Sequence, residues 1–458
     1  MNSNTPKEPP QEQRRANWLG SRVKVLTTEV TGLIISREKQ KQMFATSLYR
    51  NALYLVINNL AGPLTSFLFW IIVARFYSTS AVGLASAVAS IVTLLGLFST
   101  FGFEFGLIRY LANAGHNANS MVNTSLTLGS IVAIIFSCIF LTGVSIWSPA
   151  LAPLRQSTIY FIIFVIFTVV TTVTILMGNA FVAQRRAHFT MINNLTSSVL
   201  ELIMVLLFIL FLRSFRGIFF AMVFSGAITL IISMRFFLPK ILPGFRPVPI
   251  ISRSVVREMI HFSFTNYIAN AVWSFTIYVL PIMVINALGI QANAYFFISW
   301  TVGGVLGTIS LATTTSLFAE GSFDEKKMVS DIWRCLKLTC IILIPIAVIV
   351  FLLADKLLLL FGTAYSLEGT GLLRIMCIAA LPLALNSIYM SILRIQKKSI
   401  ALILLTVFIA IVTLVVSYFL VPRVGIIGTG FGWLISQGVL AIFVLSRLVK
   451  LKKQDNLQ

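Results

Sequence analysis

Asn51, Tyr54, Asn58, Gly62 and Thr65 recur every three or four residues in an otherwise apolar stretch, 51–74 (NALYLVINNLAGPLTSFLFWIIVA). That spacing puts them on one helix face. An asparagine amide finds no hydrogen-bond partner among lipid tails, so the face must look into protein or a water-filled cavity. His261, Thr265, Asn270 and Ser274, with Asn266 beside them, repeat the stripe in a second apolar stretch, 260–285. Arg50 stands at the mouth of the first stripe and His261 at that of the second, and Arg109 follows the neighbouring stretch 81–104.

Two carboxylates lie in apolar surroundings. Glu201 sits in the middle of SSVLELIMVLL, where an ionised carboxylate is costly unless protonated, paired or hydrated. Two roles fit it: a coupling site for a proton or another cation, or a protonated group bonded to a neighbouring helix. Glu104 lies close to Arg109, and a structural ion pair between them is expected. His261 titrates near neutral pH or is simply hydrated at its helix mouth.

Catalytic and energy-transducing signatures are missing. The chain has no Walker A loop, HExxH, GxSxG or carboxylate cluster. The loops opposite the termini are about 5 to 15 residues long, too short for a catalytic domain. A protein that is not an enzyme is expected. Cys138, Cys335, Cys340 and Cys377 fall singly in apolar surroundings, and the spacing of Cys335 and Cys340 is not CxxC, so neither disulfide nor metal site is expected.

The elements that position these residues are membrane helices. The chain has 458 residues, 58% hydrophobic and 11% charged, with a mean hydropathy of +0.94. Soluble domains carry about 25% charged residues, so this composition belongs in lipid. Spans are expected at 51–74, 81–104, 122–146, 157–181, 190–211, 217–238, 260–285, 291–315, 336–354, 371–393, 399–420 and 425–446. The net charge of +21 is scattered between apolar spans, which excludes a basic nucleic-acid-binding domain. With the N-terminus inside, 28 of the 35 Lys and Arg fall on the inner side and 7 on the other. That asymmetry puts both termini in the cytoplasm.

The pattern divides into 1–43, a basic N-terminal extension; 44–238, a first lobe of six helices; 239–258, a proline-rich cytoplasmic linker; 259–447, a second lobe; and 448–458, a cytoplasmic tail. The extension has no signal-peptide core. Leu19, Val23, Leu26, Val30 and Leu33 step by 4, 3, 4, 3, which fits either a basic amphipathic helix on an anionic leaflet or a solvated tail. The lobes echo each other. GNAFVAQRRAHFTMI (178–192) corresponds to NSIYMSILRIQKKSIAL (386–402), glycine-bearing helices 217–235 and 428–447 correspond, and the polar stripes of 51–74 and 260–285 correspond. Repeats of like orientation imply a twofold axis along the membrane normal with a site between the halves.

The run VARFYSTSAVGLASAVASIVTLLGLFSTFGFEFGLIRYLA (73–112) resembles the opening of the polysaccharide (O-antigen-type) flippases of the multidrug/oligosaccharidyl-lipid/polysaccharide (MOP) exporter superfamily. The matching features are the short polar turn, Gly83, the Phe101–Gly102 pair, and Arg109 with Leu111. FLVPRVGIIGTGFG (419–432) is similar to the family's junction between helices 11 and 12, and the resemblance covers roughly 44–447.

It implies an all-α polytopic membrane protein of about twelve transmembrane helices in two pseudo-symmetric six-helix lobes around a central cavity. The implied activity is flipping of a lipid-linked oligosaccharide or polysaccharide precursor across the cytoplasmic membrane by alternating access. The implied partners are the glycan lipid and membrane lipids, with the protein acting as a monomer, without cofactor, and with H+ or Na+ as the candidate coupling ion. On that reading Arg50, Arg109 and His261 receive the phosphate head group, Asn58, Asn266 and Asn270 meet sugar hydroxyls, and Glu201 is the ion-coupling candidate. The alternative is a multidrug cation antiporter of the same superfamily, which would want carboxylates in the cleft.

Overall fold

The computed structural model describes residues 62, 64–321, 328–396 and 398–455. Arg50, Asn58 and the extension 1–43 lie outside the described residues, and so do the side chains of His261 and Asn266.

Hydrophobic runs of this length leave the backbone one way to satisfy its own polar groups within lipid, which is to form helices. Every long element among the described residues is helical. In chain order they are α1 Leu64–Phe76, α2 Thr79–Ser99, α3 Ala118–Thr142, α4 Thr158–Ala183, α5 Ala187–Phe211, α6 Phe215–Ile232, α7 Arg253–Leu288, α8 Ile290–Gly321, α9 Met328–Leu352, α10 Thr363–Ile395, α11 Ser399–Val424 and α12 Ile427–Asp455. Eleven of the described helices are long and apolar enough to cross a bilayer, and α1 is the shorter twelfth. The chain is thus a multi-pass membrane protein. Successive crossings alternate, which gives a linker face, carrying 242–252 and the end of α12, and an opposite turn face, carrying Tyr77, 143–157, Gly289 and Gly362.

Several limits differ from those expected: α9 starts at Met328 and not at 336, α10 at Thr363 and not at 371, and α12 runs to Asp455 and not to 446; two further differences have a local cause. Helix α2 stops at Ser99 and not at 104, because the chain turns at Phe101 and Gly102; Gly102 sits at φ +79°, where a glycine meets no Cβ clash. A separate short helix, Phe103–Tyr110, follows on the linker face. Helix α7 starts at Arg253 and not at 260. A helix continues past the bilayer with charged turns, so Arg253 and Arg257 belong to it, and the non-helical connection is only 242–252. Helix α6 reaches that connection through a π-helical turn at Ser233–Phe237.

Burial separates lining helices from lipid-facing ones. About two thirds of the apolar window of α2 and over half of that of α10 are buried, against 11% for α5 and 22% for each of α9 and α11. The small residues of α2 (Gly83, Ala85, Ser86, Ala87, Ser90) let neighbours approach closely. Its hydroxyls are satisfied locally: Ser90 Oγ donates to Ser86 O at 2.8 Å, and Ser99 Oγ to Leu95 O at 2.6 Å. Helices α3–α6 pack mainly among themselves, as do α8–α12, whereas α2 bridges the sets by touching α7 and α8, and α1 does so through the ring contacts Phe67–Phe361 and Trp70–Phe297.

Candidate functional site

Five helices of the second set, α7, α8, α10, α11 and α12, enclose a cavity of about 410 Å³. That volume lies within the usual range for ligand sites, roughly 300–1,000 Å³. Glycines open it: Gly303, Gly304 and Gly307 lie along the α8 wall. Asn270 and Trp273 come from α7, Trp300 and Thr308 from α8, Ser387 and Arg394 from α10, and Trp433 from α12. Arg394 is exposed and is the one charged side chain among the described lining residues. Neither Asn270 nor Arg394 has a hydrogen-bond or ion-pair partner among the described residues. Ser387 and Thr308 donate to carbonyls of their own helices, at 2.8 and 2.7 Å, which leaves their oxygen lone pairs open.

The three indoles form a corner. Trp433 meets Trp273 at 5.5 Å between ring centroids, with planes 65° apart, and Trp300 at 5.4 Å and 72°. Both are edge-to-face contacts, favoured by the ring quadrupole. Behind this wall Asn386 donates to Gln437 O at 2.9 Å and to Gln437 Oε1 at 2.8 Å, tying α10 to α12.

At the turn face the two sets of helices are clasped together. Gly83 is the tightest point: a Cβ there would lie 1.9 Å from Ile290 O, so only glycine permits this approach of α2 to α8. Asn293 Nδ2 then donates to Gly83 O at 2.7 Å and to Ser86 Oγ at 3.1 Å. Arg75 donates to Leu360 O and Leu359 O at 2.7 and 2.6 Å. Asn286 donates to Trp147 O at 2.6 Å and accepts from Ser148 Oγ at 3.0 Å. Towards the linker face α7 leans on α2 through Tyr267, whose hydroxyl donates to Phe98 O at 3.1 Å.

Of the residues singled out in the sequence, Asn270 lines the cavity. Arg109 does not: it is exposed on the linker-face helix Phe103–Tyr110, its guanidinium 5.4 Å from the Tyr110 ring centroid. The expected Glu104–Arg109 ion pair is not formed. Glu104 is only 5% exposed, neither carboxylate oxygen has a hydrogen-bond partner, and burial raises its pKa. The helix turns Glu104 inward and Arg109 outward. Glu201 is half-buried on α5, three residues from Ser198, whose hydroxyl accepts from Thr65 Oγ1 of α1 at 3.0 Å; it is not among the cavity's lining residues. In the sequence Arg394 counted only as an inner-side charge, and no motif marked Trp273, Trp300 or Trp433. One tryptophan on each of three separate spans was the available signal.

Residues 48–323 match a family model described as polysaccharide biosynthesis protein. No curated protein sequence matches significantly. Among solved structures, the chain is similar to the lipid II flippase MurJ in an inward closed conformation (TM-score 0.70, 11% identity, 86% of this chain and 87% of that one). It is also similar to a multidrug resistance MATE family transporter of the MOP superfamily in an inward-facing conformation (0.65, 16%, 87% and 99%). A third is a MOP superfamily transporter from Pyrococcus furiosus described as having a binding pocket of reverse polarity (0.60, 16%, 88% and 96%). At these identities the likeness is one of fold.

Proposed function

The chain belongs to the polysaccharide biosynthesis protein family, and on that footing we propose that it flips a lipid-linked oligosaccharide or polysaccharide precursor across the cytoplasmic membrane. One observation carries the reading. The cavity presents a single cation, Arg394, an unpartnered amide, Asn270, and no carboxylate among its described lining residues. An anionic, hydroxyl-rich head group suits that lining, because a guanidinium pairs with phosphate oxygens bidentately.

The linker face is the cytoplasmic one on this reading, and both termini lie there. Helix α10 has 33 residues, well over the about 20 that cross a bilayer, so Arg394, one residue from its linker-face end, sits at head-group depth. A phosphate held there leaves the lipid tail in the bilayer and admits the glycan to the cavity. Alternating access then requires the clasp at Gly83, Asn293 and Arg75 to open while the linker side closes. Arg50, Arg109, His261, Asn58 and Asn266 are assigned supporting contacts with the head group. Glu201 is the candidate site for a coupling H+ or Na+. The protein works as a monomer.

The MATE likeness favours a rival, antiport of organic cations. A cation would meet Arg394 with no described carboxylate to offset it. The test is reconstitution in liposomes with a fluorescent polyprenyl diphosphate disaccharide on one side and tetraphenylphosphonium on the other. Flipping of the diphosphate lipid, at least 10-fold slower in Arg394→Gln and partly kept in Arg394→Lys, is expected. Transport of the phosphonium cation without the lipid would overturn the reading.

A further inference from the structure

We propose that Trp273 and Trp300, braced by Trp433, form a saccharide-stacking platform at the deep end of the cavity, so that the head group lies along one axis with phosphate at Arg394 and sugar rings on the indoles. This rests on the reading of the cavity as the glycan-lipid site.

Three observations carry it. The first is placement. Arg394 is near the linker-face end of α10, whereas Trp300 and Trp433 are about 15 and 9 Å from the turn-face ends of α8 and α12 at 1.5 Å per residue. Charge and aromatic surface thus stand at opposite ends of one cavity, in the order that a glycan attached through phosphate to a lipid would meet them.

The second is the division of work among the rings. Trp433 is 4% exposed and touches both other indoles by edge-to-face contacts, so it is a brace. Trp273 and Trp300 are half-buried and keep part of their surface open to the cavity. A pyranose has one face of axial C–H bonds, slightly positive, which the negative face of an indole attracts, and stacking on a ring held in place costs little ordering entropy.

The third is unspent hydrogen-bonding capacity. None of the three indole N–H groups has a partner among the described residues, nor has the Asn270 amide. Ser387 adds a free lone pair. Rings that only filled a core would not be set around open volume beside an unpartnered amide and a hydroxyl oxygen with a lone pair to spare. The substrate class this selects is a diphosphate- or phosphate-linked glycan whose first sugars expose an apolar pyranose face and carry no positive charge.

The test measures binding to the full-length protein in nanodiscs. The probes are a short-chain polyprenyl diphosphate disaccharide built on N-acetylglucosamine, the same polyprenyl diphosphate without sugar, and tetraphenylphosphonium. The sugar-bearing lipid is expected to bind about 10-fold more tightly than the bare diphosphate lipid. Trp273→Leu and Trp300→Leu should each erase most of that preference, with Trp300→Phe keeping part of it, while binding of the bare lipid stays within twofold. Arg394→Gln should weaken both lipids alike. Melting temperatures identify variants that fail to fold, and for these the Phe substitution decides. Equal binding of the two lipids by the wild type, or a preference unmoved in Trp273→Leu and Trp300→Phe, overturns the platform and leaves the flippase reading intact. Binding of tetraphenylphosphonium with neither lipid bound overturns both.

Discussion

Replacing Gly83 with alanine tests whether the contact of α2 with α8 is the gate at the turn face. The added methyl would lie 1.9 Å from Ile290 O, 2.9 Å from Ile290 C and 3.2 Å from Ala294 N. These are backbone atoms, so no rotamer change relieves the clash. Ordinary contact needs about 3.5 Å, so the two helices must part by about 1.5 Å. At that separation the Asn293 bonds, now 2.7 and 3.1 Å, pass beyond hydrogen-bonding range. Overpacking costs about 1–3 kcal/mol. A buried amide left unpaired costs about 1–3 kcal/mol more. Both costs fall on the clasped state alone, because a parted seam has no contact to strain. Even the lower sum, about 2 kcal/mol, moves the ratio of clasped to parted forms by about 30-fold.

Nitroxide labels at Ser78→Cys and Gln291→Cys, both exposed near the turn face, report the separation once the four native cysteines are replaced. Gly83→Ala should shift the distance distribution towards longer values. Gly96→Ala is the control: its methyl meets Thr171 Cγ2 at 2.9 Å inside the first set of helices, so it strains packing without prising the sets apart. An unchanged distribution and melting temperature in Gly83→Ala would refute the gate.

Asn386→Leu should lower stability by about 1–3 kcal/mol, since Gln437 loses both bonds in a buried seam, and pairing it with Gln437→Leu should restore much of the loss, as read from thermal melts. Glu104→Gln should stabilise the protein at neutral pH. Burial raises the Glu104 pKa above 4.5, so the folded chain keeps a proton that the unfolded chain releases, and wild-type stability falls as pH climbs from about 4.5 to the raised value. The variant should melt with wild type at low pH and at a higher temperature than wild type at neutral pH; parallel curves would count against it. Asn286→Ala, which loses the Trp147 and Ser148 bonds, should cost about 1 kcal/mol and lengthen the same label distance only slightly. Arg109→Ala should slow flipping while Arg109→Lys keeps it, measured in the liposome assay; equal rates in both would make Arg109 a mere membrane anchor.

The helices were legible in the sequence because membrane burial is a property of local composition. Twenty apolar residues in a row have one stable form in lipid, whatever their neighbours do. The spans at α4 and α5 and the close packing of the small-residue helix α2 followed from residue types and spacing. Partnership did not. Glu104 and Arg109 miss each other because both lie on one helix, Phe103–Tyr110, where five residues of separation put them about 140° apart, and only the packing of that helix decides which of the two faces inward. Which tryptophans gather depends on how α7, α8 and α12 rotate against one another, and no pattern within a single helix records that rotation. Arg394 looked like any charge at a helix end until α10 was seen to bring it to a cavity. Sequence alone determined that this chain spans a membrane with amides that must face something other than lipid. Tertiary packing decided what they face, because contacts between spans depend on rotation and depth, which hydropathy does not encode.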